Sequence, residues 1–311
     1  MIFNPFCRFF LVTIHVLEFE KLKRLMCNVN DMIHFVIRLL ADQLFVALRT
    51  KFTPRILGDV FKWWATTIVI FSSGNALAAS KFDYWVGGQV RSFPLAGVIE
   101  GESGYNSLLW GDVASPFHGY VRPRLYGSSA GTYNSLDGAL EVFPLAILGV
   151  RAGGEAIQND KNYTDHNCIL YACRGRFYRS YVEAELSLGA GDFFAQARWR
   201  RERWTQGQHQ QDFVDPTSGI AMQSDGDVQT VYFGIFGYKF SSEWSGLAVT
   251  RYAEGTNLHK FSRFPYVIVK YQTGSFSIGA GGGFFQSGDH AQETSLVGFF
   301  KWEIEPSFAI R

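Results

Sequence analysis

The sequence predicts an all-β chain closed into an antiparallel transmembrane β-barrel of about twelve strands over residues 79–311. Three observations carry that prediction. Side-chain character alternates with a period of two through much of the chain after Ala78, as it does along strands that present different faces to different surroundings. Most of the alternating runs are close to the roughly 9–11 residues that a tilted strand needs to cross a bilayer. The connections between them tend to be short and long by turns, as in a barrel whose two ends face different compartments.

Composition sets the outer bounds. The chain has 311 residues, a formal net charge of +1, 18% charged residues, 16% aromatic residues, 32 glycines and only four cysteines. That is neither a disordered nor a disulfide-scaffold composition. Near-neutral charge gives no reason to expect nucleic acid as a partner. After Ala78 the chain holds 20 Lys and Arg against 23 Asp and Glu, so this part is mildly acidic.

The N-terminal part divides at residue 60. Residues 1–59, which include Cys7 and Cys27, read as an amphipathic anchor, as a long leader, or as translation upstream of the true start. Their apolar runs "FCRFFLVTIHVL" and "MIHFVIRLLADQLFVAL" are interrupted by charge or His before either becomes a membrane-spanning helix. Residues 60–78 read as a signal peptide. Lys62, backed by Lys51 and Arg55, supplies the cationic region, and Trp63 to Phe71 the short apolar run. Ser72-Ser73-Gly74-Asn75 breaks the run, and Ala76-Leu77-Ala78 fits the small-x-small pattern, which places cleavage after Ala78. The alternative for this stretch is a buried helix inside a soluble domain.

Strands follow in order, near 82–93, 98–110, 117–128, 133–143, 146–157, 174–188, 192–204, 228–240, 244–254, 261–272, 275–286 and 293–305. In "FDYWVGGQVRSF", Tyr84, Val86, Gly88 and Val90 share one face, and Trp85, Gly87, Gln89 and Arg91 the other. In "HGYVRPRLYG", Val121, Pro123 and Leu125 oppose Tyr120, Arg122, Arg124 and Tyr126. "RFYRSYVEAELSLG" sets Tyr178, Val182, Ala184, Leu186 and Leu188 against Arg179, Tyr181, Glu183 and Glu185. An amphipathic helix would not sort residues this way. Short connections such as "LGAG", "SSE" and "TG" are even-numbered, whereas the long "AIQNDKNYTDHNCILYAC" and "TQGQHQQDFVDPTSGIAMQSDGD" are odd-numbered. The run "GAGGG" at 279–283 lies within a strand pattern and reads as a bend or a close backbone approach, not as a phosphate loop.

On this architecture, from Ser80 to about Glu305, the chain resembles the bacterial outer-membrane β-barrel superfamily, without the signature of a particular family within it. The resemblance implies the outer membrane of a Gram-negative bacterium. It implies as partners the lipid bilayer with its lipopolysaccharide, and the barrel-assembly machinery. One departure is the C-terminus, "EPSFAIR", where Phe308 stands three residues before the end instead of at it. Aromatic residues near strand ends, among them Trp85, Phe93, Trp110, Phe193, Trp204, Trp244, Phe264 and Trp302, are expected in interfacial girdles.

The faces opposite the apolar stripes carry the candidate functional residues. Glu100, Glu102, Arg122, Arg124, Asp137, Glu141, Arg151, Glu155, Arg179, Glu183, Glu185, Gln196, Arg198, Arg200, Glu202, Lys301, Glu303 and Glu305 are expected to point inward. Signs roughly alternate from strand to strand, and neighbouring strands are about 4.8 Å apart, so Arg on one can meet Glu on the next. Two readings stay open. The charges fill and stiffen the interior, or they line a pore: Arg122, Arg124, Asp137, Glu141, Arg151, Arg179, Glu183, Glu185, Arg198 and Arg200. A barrel of about twelve strands lies between those filled by side chains and those that hold channels.

Catalytic signals are sparse. The pairs Asp165-His166 and Asp289-His290 fall in connections assigned to the outside, where an Asp could orient an imidazole that activates water. Cys168 and Cys173 lie in one long connection, and an exported chain meets an oxidising compartment, so they are expected to form a disulfide. No cofactor or metal is expected. The functional expectation is a narrow pore for ions or small polar solutes. The alternatives are an outer-membrane hydrolase acting at its outer loops, and a plugged structural or adhesive barrel.

Overall fold

The computed structural model describes residues 80–162, 168–207, 211–288 and 290–306. The leader, the signal segment, Asp165, His166, Asp289 and Phe308 lie outside the described residues. The described residues form fourteen strands: β1 (Ser80–Arg91), β2 (Ala96–Trp110), β3 (Gly119–Ser129), β4 (Tyr133–Leu145), β5 (Leu148–Asn159), β6 (Gly175–Ala190), β7 (Phe193–Gln206), β8 (Phe213–Val214), β9 (Ala221–Met222), β10 (Asp227–Lys239), β11 (Trp244–Gly255), β12 (Phe261–Thr273), β13 (Phe276–Ser287) and β14 (His290–Glu305). Twelve of them close one antiparallel barrel, in which β1 pairs with both β2 and β14. Closure leaves no open edge, because each of the twelve barrel strands pairs with a neighbour on both sides, as a bilayer requires. The two-residue strands β8 and β9 pair with each other inside the connection from β7 to β10.

The twelve barrel strands fall where the sequence places them, to within a few residues at each end. At one end the turns β4–β5, β6–β7 and β12–β13 are two residues long. Gly191 and Gly274 open two of these turns with φ of 58° and 52°, a region in which a side chain would be strained. At the other end lie the connection 160–174 and the connection 207–226. The alternation is not complete: the β2–β3 connection, on the short-turn end, spans residues 111–118, and β13–β14 on the other end is a tight turn.

Outward side chains are apolar. Ile99, Val267 and Leu296 are 62–70% exposed, which is tolerable only against hydrocarbon. Ring pairs Phe193–Tyr238 and Trp244–Tyr271 gather at the short-turn end of the outer surface, and Tyr232–Tyr252 toward the other end. Four aromatics expected in these girdles are inside instead, among them Phe93, which packs on Phe285. Trp204 is fully buried, Phe264 is nearly so, and Trp85 packs against Lys301, 4.6 Å from its ring centroid. In "GAGGG", Gly281 and Gly283 press on β12: a Cβ on either would come within 2.0 Å of the carbonyl oxygens of Val267 and Pro265. That is the close backbone approach expected of this run.

Candidate functional site: the charged wall of the lumen

The interior has two unlike walls. Strands β1 to β7 present charge, because their even or odd positions alternate Arg or Glu with outward Val, Leu and Ala. Strands β10 to β14 present an apolar cluster of Leu247, Phe264, Tyr266, Ile268 and Phe285, joined by Phe93 and Phe194. On these strands the inner face is mostly apolar, with Gln229, Arg251 and the Lys301–Glu303 pair among the exceptions.

On the charged wall the ion pairs form one unbroken chain. Arg122 on β3 meets Asp83 on β1 at 2.9 Å, Glu102 on β2 at 2.7 Å and Glu141 on β4 at 2.9 Å. Arg151 on β5 lies 2.5 Å from Glu141 and 2.6 Å from Glu183 on β6. Arg200 on β7 takes the other Glu183 oxygen at 2.5 Å and reaches Glu202 at 3.3 Å. Arg179 then joins Glu202, 3.3 Å away, to Glu155. Register explains the order, since Arg122 is directly opposite Glu141, Glu141 opposite Arg151, Arg151 opposite Glu183, and Glu183 opposite Arg200. Tyr181 stands over this chain. Its hydroxyl donates to Asp137 at 3.0 Å and accepts from Arg124 at 2.9 Å, and Arg200 lies over its ring at 4.3 Å.

Most of the expected inward residues therefore sit on one wall, whereas Lys301, Glu303 and Glu305 lie on β14, where Lys301 pairs with Glu303 and Glu305 with Lys81. Arg122, Arg124, Asp137, Glu141, Arg151, Arg179, Glu183, Glu185 and Arg200 belong to the ion-pair network. Arg198 also faces inward but has no ion pair among the described residues; it stacks on Phe233 at 4.0 Å. Asp83 was missed, although it shares the parity of Trp85, Gln89 and Arg91 and so was readable. Arg251 on β11 was missed because its neighbours are apolar on both faces.

The mouth on the long-loop side is filled by residues 211–226 of the connection from β7 to β10. Phe213, Val214, Ile220, Ala221 and Met222 are 0–1% exposed, and they pack with Ile157, Phe177, Trp204, Val231 and Ala253 of the barrel wall. The loop is laced to the connection 160–174 by Ala172 N–H donating to Asp212 O at 2.7 Å and Val214 N–H donating to Ala172 O at 3.2 Å. Cys168 and Cys173 are joined in a disulfide beside this seam. Asp215, fully buried, accepts from Ser218 and from the Thr217 hydroxyl at 2.7 Å, which satisfies a carboxylate inside the plug. Of the Asp-His pairs, only the backbone of His290 is described. Among the described residues, no group of three or more His, Cys, Asp and Glu could hold a metal.

A closed, twelve-stranded antiparallel barrel, apolar outside and ionic within, defines the class: a membrane-spanning β-barrel of the outer-membrane kind. No protein-family model and no curated protein matches the chain. Among solved structures it is similar to the KdgM porin in complex with disordered oligogalacturonate, at 8% identity and a TM-score of 0.39, covering 72% of this chain and 100% of that one. It is similar to the NanC porin at 12% identity and a TM-score of 0.41, covering 71% and 100%. The beta domain of the Bordetella autotransporter BrkA aligns at 13% identity and a TM-score of 0.39, covering 71% and 98%. These likenesses carry no residue of the interior across.

Proposed function

We propose that the chain is a narrow pore in the outer membrane of a Gram-negative bacterium, passing ions and small polar solutes, with its own longest loop seated in the outer mouth. The observation that supports this reading is the continuous charged wall from Asp83 to Glu155. A barrel interior that only had to be filled could use apolar side chains, which avoid the cost of desolvating so many charges. A wall of fixed charge along the lumen instead favours water and ions beside it. A second reading, the plugged structural barrel, draws on the complete burial of Phe213, Val214 and Met222 in the mouth.

Planar-bilayer recording separates the two. The purified chain is compared with a variant in which the connection between Gly207 and Gly226 is replaced by a short turn. The pore reading expects a small conductance from the intact chain and a several-fold larger one from the shortened form. Silence from both forms, with the barrel folded, favours the plugged barrel.

A further inference from the structure

Three arginines of the lumen stand apart from the ion-pair chain: Arg198, Arg251 and Arg91, the last lying over the Phe264 ring at 4.8 Å with its Nε donating to the Pro94 carbonyl at 3.1 Å. Arg198, Phe233, Arg251 and Phe264 lie directly opposite one another on β7, β10, β11 and β12, forming a row of alternating guanidinium and ring across four strands. Arg198 lies 4.0 Å from the Phe233 centroid and Arg251 lies 5.7 Å from that of Phe264. Among the described residues neither is in an ion pair. Arg198 Nε is buried without a hydrogen-bond partner. The acids nearest in charge are Glu183 and Glu185 for Arg198, and Asp215 and Glu202 for Arg251. All four are engaged elsewhere: Glu183 by Arg151 and Arg200, Glu185 by Gln196, Asp215 by Thr217 and Ser218, Glu202 by Trp204.

The contrast with Arg200 is informative. Two residues along the same strand, it has two carboxylates. A lumen arranged only to neutralise its charges would treat Arg198 alike. Stacking on a ring uses the flat face of a guanidinium and leaves its edge N–H donors free. The row also marks the border between the two walls, because Phe264 belongs to the apolar cluster with Tyr266, Ile268 and Phe285. Two guanidiniums two strands apart are roughly 10 Å apart at the backbone. Flexible arginines can converge from there on one anionic head.

We infer that this row is a binding site for organic anions with an aromatic or branched apolar body. The anionic head sits between Arg198 and Arg251, and the body lies against the half-buried inward side chains Phe233, Ile235 and Val249, beside the cluster that encloses Phe264. This rests on the lumen being open to solutes, as proposed above.

The probe is 2-naphthoate, titrated calorimetrically into the purified chain refolded in detergent. It binds more tightly, by about tenfold or more, than acetate, which lacks the body, or 2-naphthylmethanol, which lacks the charge. That comparison needs no variant. The R198Q/R251Q variant, checked for folding by its heat-dependent gel mobility, loses the preference, and R198K/R251K keeps part of it. Equal binding of the acid and the alcohol overturns the inference, as does naphthoate binding unchanged in R198Q/R251Q. Conductance in bilayers without naphthoate binding leaves the pore standing and removes the site. Naphthoate binding without conductance, even in the loop-shortened form, removes the pore and leaves a lumenal binding site.

Discussion

Arg122 is 5% exposed and faces three carboxylates, on β1, β2 and β4. Truncating it leaves Asp83, Glu102 and Glu141 facing one another with their main counter-charge gone. Breaking a buried ion pair from one side costs about 3 kcal/mol or more, because the survivors stay desolvated and unpaired. R122A is therefore expected to lower the barrel's unfolding free energy by about 3 kcal/mol in urea titrations in detergent. R122A/E141A is expected to be less unstable than the sum of the two single variants, since each removes part of the other's penalty. Additive losses would mean that water in the lumen already screens these charges. The same residue shows what single positions reveal in sequence. "HGYVRPRLYG" puts Arg122 and Arg124 on the face opposite Val121, Pro123 and Leu125, and the fold places them there. Trp204 was assigned to a girdle by its nearness to a strand end. Yet it shares parity with Arg198, Arg200 and Glu202, and the structure buries it among the lumenal residues, with its indole N–H donating to Glu202 at 2.8 Å. Parity was the better guide.

At the scale of elements, β1 to β7 were legible because their two faces differ in charge. In β10 to β14 the alternation is weaker, and only Lys301, Glu303 and Glu305 of the last strand mark an inner face by charge. In β11, inward Leu247, Val249 and Ala253 alternate with outward Ala248, Thr250 and Tyr252, so hydrophobicity carries little period. The apolar half of the lumen was for that reason invisible in the sequence. The connection 207–226 was legible as a long loop but not as a plug. Its apolar residues are few, and only the fold shows that Phe213 packs 5.4 Å from Phe177 across the mouth. F213A deletes a fully buried ring and is expected to cost about 3 kcal/mol locally. The barrel should stay folded while proteinase K cuts the connection 207–226 much faster than in the parent. The bond between Cys168 and Cys173 closes a small ring, so its removal should weaken the seam by about 2 kcal/mol at most. C168S/C173S is thus expected to show a smaller rise in cleavage than F213A. The opposite ranking would mean that the disulfide, not the packed ring, holds the plug.

For the whole molecule, the separation of charge onto one wall and apolar rings onto the other produces a field directed across the lumen instead of along it. Arg198 and Arg200 lie on β7, the last strand of the charged wall, where their positive charge borders the apolar side. Substituting both with Ala removes two positive charges. Glu183 and Glu202 lose a partner each, while Glu185 loses a nearby cation. A permeating ion about 8 Å from one unit charge in water feels roughly 0.5 kcal/mol, reduced further by salt. The pair together should raise the preference for cations over anions by roughly twofold or more. The measurement is the reversal potential under a salt gradient, comparing R198A/R200A with the parent in the loop-shortened background, where current is largest. A shift toward the cation equilibrium potential supports a conducting path along β7. An unchanged potential with current still flowing would place the path away from β7, leaving the arginines to a structural or ligand-holding role. The two substitutions can also be separated. Arg200 is tied to two acids, and removing it frees negative charge that was already paired. Arg198 has no ion pair, so its loss subtracts a charge that permeating ions feel more fully. R198A alone should therefore move the potential at least as far as R200A alone. That ranking follows from the ion-pair network and could not have been read from the sequence, where the two arginines share one face of one strand.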